Sequence, residues 1–140
     1  MAHVDAGRLE GVMIPPPFER ELKVVMSPQT HPDVRGFTLI TSRLAPGGGS
    51  TPLHCHESSG ELMMVVSGSG TARLAGLEVP LRAGVSLYAP AGVEHQTVNT
   101  GEEALEILCV FIPPVPADYV EMSRKAASAA EEDLPGGGKR

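Results

Sequence analysis

Apolar and polar positions along this chain trade places at short intervals, and the period is nearer two than 3.6. ELKVVM (21–26) reads as a short strand, and FTLITSRLA (37–45) alternates loosely and is rich in strand formers before PGGG (46–49) stops it. ELMMVVSG (61–68) is an apolar strand. GTARLAG (70–76) and LEVPL (77–81) follow as a pair of short strands, then SLYAP (86–90) and HQTVN (95–99). ALEILCVFI (104–112) is the last strand, ended by PPVP (113–116). Many short strands punctuated by Gly, Pro and Asn turns predict an all-β sandwich or barrel.

The two ends break this pattern. Residues 1–20 are irregular, and Pro15, Pro16 and Pro17 exclude a helix interior or a central strand there. The expectation is a flexible Pro-rich arm over 1–20, a β-barrel over 21–116, and a helix with a frayed tail over 117–140. Asp118 and Glu121 have capping-box spacing for a helix running to about residue 132, and LPGGGKR reads as the fraying end. The whole fits one domain of 140 residues.

Composition narrows the picture. Three Phe, two Tyr and no Trp leave a core of Val, Leu, Ile, Met and Ala. A formal net charge of -6, without any Lys/Arg run, argues against a nucleic-acid partner. No run has the length or apolarity of a secretion signal or membrane span, so a soluble cytoplasmic protein without a membrane partner is expected. Cys55 and Cys109 lack CxxC spacing and read as free thiols in a reducing compartment.

The chemistry is concentrated in two segments. HCHESSGE (54–61) carries two histidines one residue apart and a glutamate behind them; taken alone, it is either a metal site or polar residues on a solvent-facing strand. GVSLYAPAGVEHQTVN (84–99) brings a third histidine. Gly48, His54, His56, Glu61 and Gly68 fall at the spacings of the first motif of the cupin superfamily. Gly84, Pro90, Gly92, His95 and Asn99 fall at those of the second. With both motifs present in order, the chain resembles the small single-domain cupins over about residues 37–115.

That resemblance implies a small antiparallel β-barrel of jelly-roll type with one divalent metal ion held by His54, His56, Glu61 and His95. Strand parity is compatible: His54 and His56 face one side and Cys55 the other, and the turn ESSG returns Glu61 to the same interior. Three imidazoles and a carboxylate leave one or two positions open on a five- or six-coordinate ion. Fe(II) is favoured, with Mn(II), Ni(II), Co(II) or Zn(II) also suited to these donors.

The surroundings follow from the same parity. Met63 and Val65 share the face of Glu61, and Thr97 that of His95, giving a rather apolar pocket. On the last strand Leu105, Ile107, Cys109 and Phe111 share one face, read as inward, with Cys109 a small buried hydrophobe. Gly68 and Gly84 are placed for turns with φ > 0, and Asn99 for backbone hydrogen bonding. Tyr88 is the candidate catalytic acid or base.

The expected function is a mononuclear metal-dependent enzyme acting on a small oxygen-containing organic substrate. A dioxygenase is favoured, because no acid–base partner is evident in an apolar cavity. A non-redox lyase, cyclase or isomerase is the alternative, and a non-catalytic small-molecule-binding protein the third reading. A homodimer is expected from unprotected strand edges, with the N-terminal arm and ELKVVM supplying the contact.

Overall fold

The computed structural model describes residues 1–132. A 3-10 turn at Ala6–Arg8 precedes nine strands: β1 (Val12–Ile14), β2 (Arg20–Met26), β3 (Thr38–Leu44), β4 (Gly60–Ser67), β5 (Ser69–Leu74), β6 (Leu77–Arg82), β7 (Ser86–Ala89), β8 (His95–Asn99) and β9 (Leu105–Ile112). One helix, α1 (Tyr119–Glu132), follows.

The strands form two antiparallel sheets, one of six strands in the order β1-β2-β3-β9-β4-β7 and one of three in the order β6-β5-β8. The smaller sheet is extended by the chain entering β4. Thr51 N–H donates to the Thr97 carbonyl at 2.9 Å, and His54 and His95 exchange backbone hydrogen bonds at 3.0 and 2.8 Å. The expected barrel is therefore open: the ladder does not close between the sheets, which meet instead through side chains.

Alternation decides what lies between them. β9 buries Leu105, Ile107, Cys109 and Phe111, and β4 buries Glu61, Met63 and Val65, as their parity requires. β3 adds Ile40, Ser42 and Leu44. Gly68 joins β4 to β5 with φ of 88°, and a Cβ there would collide with the Ala104 carbonyl oxygen. Only glycine meets both conditions. Asn99, 1% exposed, donates to the carbonyls of Leu44 and Glu103 and accepts from Gly101 N–H. It fastens the turn before β9, as a backbone-bonding residue should.

The N-terminal segment is not an arm apart from the fold. β1 pairs with β2, Ile14 is 1% exposed in the core, and Lys23 Nζ donates to the Ala6 carbonyl. The prolines of 15–17 lie in the turn between β1 and β2, where no ladder hydrogen bond is needed. Arg20, expected in that arm, instead begins β2. At the other end α1 starts where expected, but Glu121 pairs with Arg124 rather than closing a capping box. The expected tail LPGGGKR lies outside the described residues.

Candidate metal centre

His54, His56, Glu61 and His95 come together at one end of the space between the sheets. One ligand atom from each lies within 4.8 Å of all the others. Three chain segments supply them: the segment paired to β8 gives both early histidines, the start of β4 gives Glu61, and the start of β8 gives His95. The Pro90–Gly92 turn is tied to this place, since Gly92 N–H donates to the His56 carbonyl at 2.8 Å.

The backbone sets the orientation of two rings. His54 Nδ1–H donates to the Pro52 carbonyl at 2.7 Å, and His95 Nδ1–H to the Val93 carbonyl at 3.0 Å. Each bond commits Nδ1 and turns Nε2 toward the cluster, the arrangement that orients imidazoles as metal ligands. Glu61 Oε1 accepts from His56 Nε2 and His95 Nε2, both at 2.9 Å. Ring centroids of His54 and His95 are 4.4 Å apart, and those of His54 and His56 4.9 Å.

The electrostatics follow from this packing. Burial, together with the neighbouring His95 and His56, lowers the His54 pKa to about 4, so its ring is neutral at pH 7. Burial opposes charge on Glu61, but the hydrogen bonds from His56 and His95 outweigh it and hold the carboxyl at about 2. Burial also opposes charge on His95; the Glu61 carboxylate and the Val93 carbonyl overcome it and raise the pKa. Three nitrogen donors and one ionised carboxylate, two of the rings aimed by backbone acceptors, fit a divalent transition metal.

Cys55 is exposed and points away from the cluster. Cys109 is buried and unpaired, its thiol raised well above the usual range by burial and by Glu61. Met63 and Thr97 line the cavity beside the cluster, with Ile40, Ile107 and Phe111.

Tyr88 is elsewhere. It stands opposite Leu62 on the outer face of the large sheet and is 53% exposed. Parity is the reason: Ala89, opposite Glu61, takes the inward position, so Tyr88 one residue earlier faces out. Its hydroxyl covers Gly60, where any side chain would strike the phenol ring.

Four other polar side chains reach the cavity, Arg20, Ser42, Thr51 and Tyr119, and none was singled out in the sequence; two of them, Arg20 and Tyr119, carry ionisable groups. Tyr119, in the first turn of α1, packs at 5.6 Å from the His56 ring and 5.2 Å from Phe111. Burial and the Glu61 carboxylate raise its phenol far above the usual value, so it stays protonated. Arg20, 4% exposed, points inward from β2. A signal for Arg20 was present: it shares strand parity with Leu22, which places a charge on an inward face. Tyr119 had no such signal, since only packing brings α1 over the cavity.

A family model described as the cupin domain matches residues 40–111, just over half of the chain. The chain belongs to the cupin family. This cupin is 37% identical over 67 residues to an oxalate-binding protein of Thermotoga maritima, covering 48% of this chain and 55% of that protein. It is 36% identical over 76 residues to auxin-binding protein 1 of Arabidopsis thaliana, covering 48% of this chain and 38% of that one. The chain thus spans about half of the first relative's length and under two-fifths of the second's.

Among solved structures, a predicted oxalate decarboxylase from Thermotoga maritima aligns with a TM-score of 0.72 at 27% identity, covering 80% of this cupin and 99% of that chain. KdgF from a Halomonas species aligns with a TM-score of 0.71 at 19% identity, covering 85% and 98%, a likeness of fold alone.

Proposed function

We propose that this cupin is a mononuclear metal-dependent enzyme acting on a small oxygen-bearing organic molecule inside the cavity. The observation that carries the reading is the convergence of His54, His56, Glu61 and His95 on a cavity also walled by a protonated phenol, Tyr119. A divalent ion on these four residues would supply Lewis-acid polarisation of a coordinated oxygen. The names of two similar proteins, an oxalate-binding protein and a predicted oxalate decarboxylase, support a small oxygen-rich ligand.

The chain's own residues divide the remaining work. His54 and His95 are held in place by the Pro52 and Val93 carbonyls, so their Nε2 atoms need little reorganisation. Ile40, Met63, Ile107 and Phe111 exclude water and strengthen every charge interaction within the cavity. Tyr119 holds a proton at its hydroxyl and can donate it, or a hydrogen bond, to an oxygen on which charge develops.

The phenol shifts the balance between the two reaction types. The oxidative expectation rested on the lack of an acid–base partner, and Tyr119 supplies one. Non-redox lyase, cyclase, isomerase or decarboxylase chemistry is therefore the reading the geometry supports best. The apolar lining favours a dioxygenase as the second reading, and a redox-active ion such as Fe(II) on these residues would supply its chemistry.

Turnover of candidate small oxygenated substrates is to be measured aerobically and anaerobically on protein whose metal has been identified by elemental analysis. Equal rates without oxygen are expected. Loss of turnover on removing oxygen, with stoichiometric oxygen uptake, establishes the dioxygenase instead. No turnover in either condition, with metal removal changing only stability, leaves a binding protein.

A further inference from the structure

Among the described residues Arg20 is a buried charge that forms no ion pair. It opens β2, stands opposite Leu44 on β3, and is 4% exposed. Its guanidinium offers five N–H donors, yet among the described residues one side-chain hydrogen bond is formed, from NH1 to the Phe18 carbonyl at 2.9 Å. Among the described residues no carboxylate forms an ion pair with it. Glu61, across the cavity, is committed to His56 and His95. A buried guanidinium left in this state is strongly disfavoured unless an anion joins it.

The charge balance of the cavity points the same way. Its lining holds one carboxylate, Glu61, and no second carboxylic acid among the described residues. With a divalent ion on the four metal-site residues, the single Glu61 carboxylate would face that ion and the guanidinium together. An excess of positive charge would remain for a ligand to neutralise. The cavity is small, about 30 Å³, and so takes only a ligand of a few heavy atoms.

We propose that Arg20 anchors a carboxylate of the ligand, so that the molecule taken by this cavity is a small organic acid held between the guanidinium and the metal centre. This rests on the metal-enzyme reading above and specifies the substrate class for it. The planar fork of donors suits a carboxylate in two-point contact, and the second oxygen function of an α-hydroxy, α-keto or dicarboxylic acid would reach toward the histidines.

The test uses the full chain as purified, with metal content measured beforehand, and two probes of equal size: glycolate and its uncharged counterpart glycolamide. Calorimetric titration of the wild type is expected to show glycolate binding at least about tenfold more tightly, the scale of one charge-assisted contact. R20M is expected to lose that preference while retaining its metal. In the absence of ligand it should melt at the same or a higher temperature, because an unpaired buried charge has gone. R20K should keep a weakened preference.

A wild type that binds both probes equally overturns the proposal. So does an R20M protein that melts lower but still prefers glycolate, since Arg20 would then only brace the Phe18 turn. If R20M does not fold, wild type against R20K decides by the same preference. Repeating the titration on metal-stripped wild type separates this proposal from the metal reading. An Arg20-dependent preference for the acid persists there in weakened form, whereas absence of metal from the purified protein counts against the metal reading alone.

Discussion

At the scale of single residues, the four clustered side chains are poised by different means. His54 is kept neutral at pH 7, while His95, whose ring nitrogens face the Val93 carbonyl and the Glu61 carboxylate, has its pKa raised. The sign follows directly. Metal must compete with the proton on His95, whose pKa is raised, but not with one on His54 at pH 7. Apparent metal affinity should therefore fall as pH is lowered through the range where His95 protonates, by up to about tenfold per pH unit for one displaced proton. Competition titrations against a chromophoric chelator at several pH values check this, and they should show net proton release on binding. The two tyrosines separate equally clearly. Tyr119→Phe should lower turnover while metal content is retained, and Tyr88→Phe should leave both unchanged; elemental analysis beside steady-state rates reads the difference.

At the scale of elements, the centre depends on three joints more than on any one strand. The backbone pairing of His54 with His95 brings the two motifs into contact, and the Gly92-to-His56 hydrogen bond holds the intervening turn against them. The third joint is Gly68, whose positive φ and close approach to Ala104 let β4 pass directly into β5. Gly68→Ala should destabilise the fold by roughly 1–3 kcal/mol, since it adds backbone strain to a collision. The midpoint of urea denaturation should fall with little change in slope. The helix was legible from its composition and its start near Asp118. Its role was not, because the side chain that matters, Tyr119, meets His56 and Phe111 only after α1 has folded back over the sheets.

At the scale of the molecule, one apolar surface is left uncovered by the described residues. Leu62, Met64 and Val66 of β4, Tyr88 of β7, and Leu108 and Ile112 of β9 lie 36–53% exposed on the outer face of the six-stranded sheet. The register sets Leu62 beside Tyr88 and Met64 beside Leu108, so the patch is continuous. Apolar surface of this kind marks an interface. We propose that the homodimer expected from strand edges forms on this face instead, because the outer strands of the large sheet, β1 and β7, have three and four residues and offer little ladder for pairing. Light scattering coupled to gel filtration should give twice the chain mass, and Leu62→Glu should shift the protein to monomer with its metal content unchanged. A wild-type monomer would rule the dimer out. Among the described residues no helix is long and apolar enough to cross a membrane.

The sequence by itself determined the alternation of each strand, the turns between strands and the spacing of two histidine motifs. All are local: a period of two assigns faces, and glycine or proline marks where the chain reverses. The inward set on β9 and the outward Cys55 were legible at that level, and the grouping of His54, His56, Glu61 and His95 followed from the resemblance of the two motifs to those of the cupins. The tertiary structure decided the rest. It left the sheets open, drew residues 12–14 into the larger one, turned Tyr88 outward through the pairing of Ala89 with Glu61, and brought Tyr119 and Arg20 to the cavity from opposite ends of the chain. Those placements depend on register and packing between segments far apart in sequence, and no local pattern encodes which distant side chain will stand beside a given histidine.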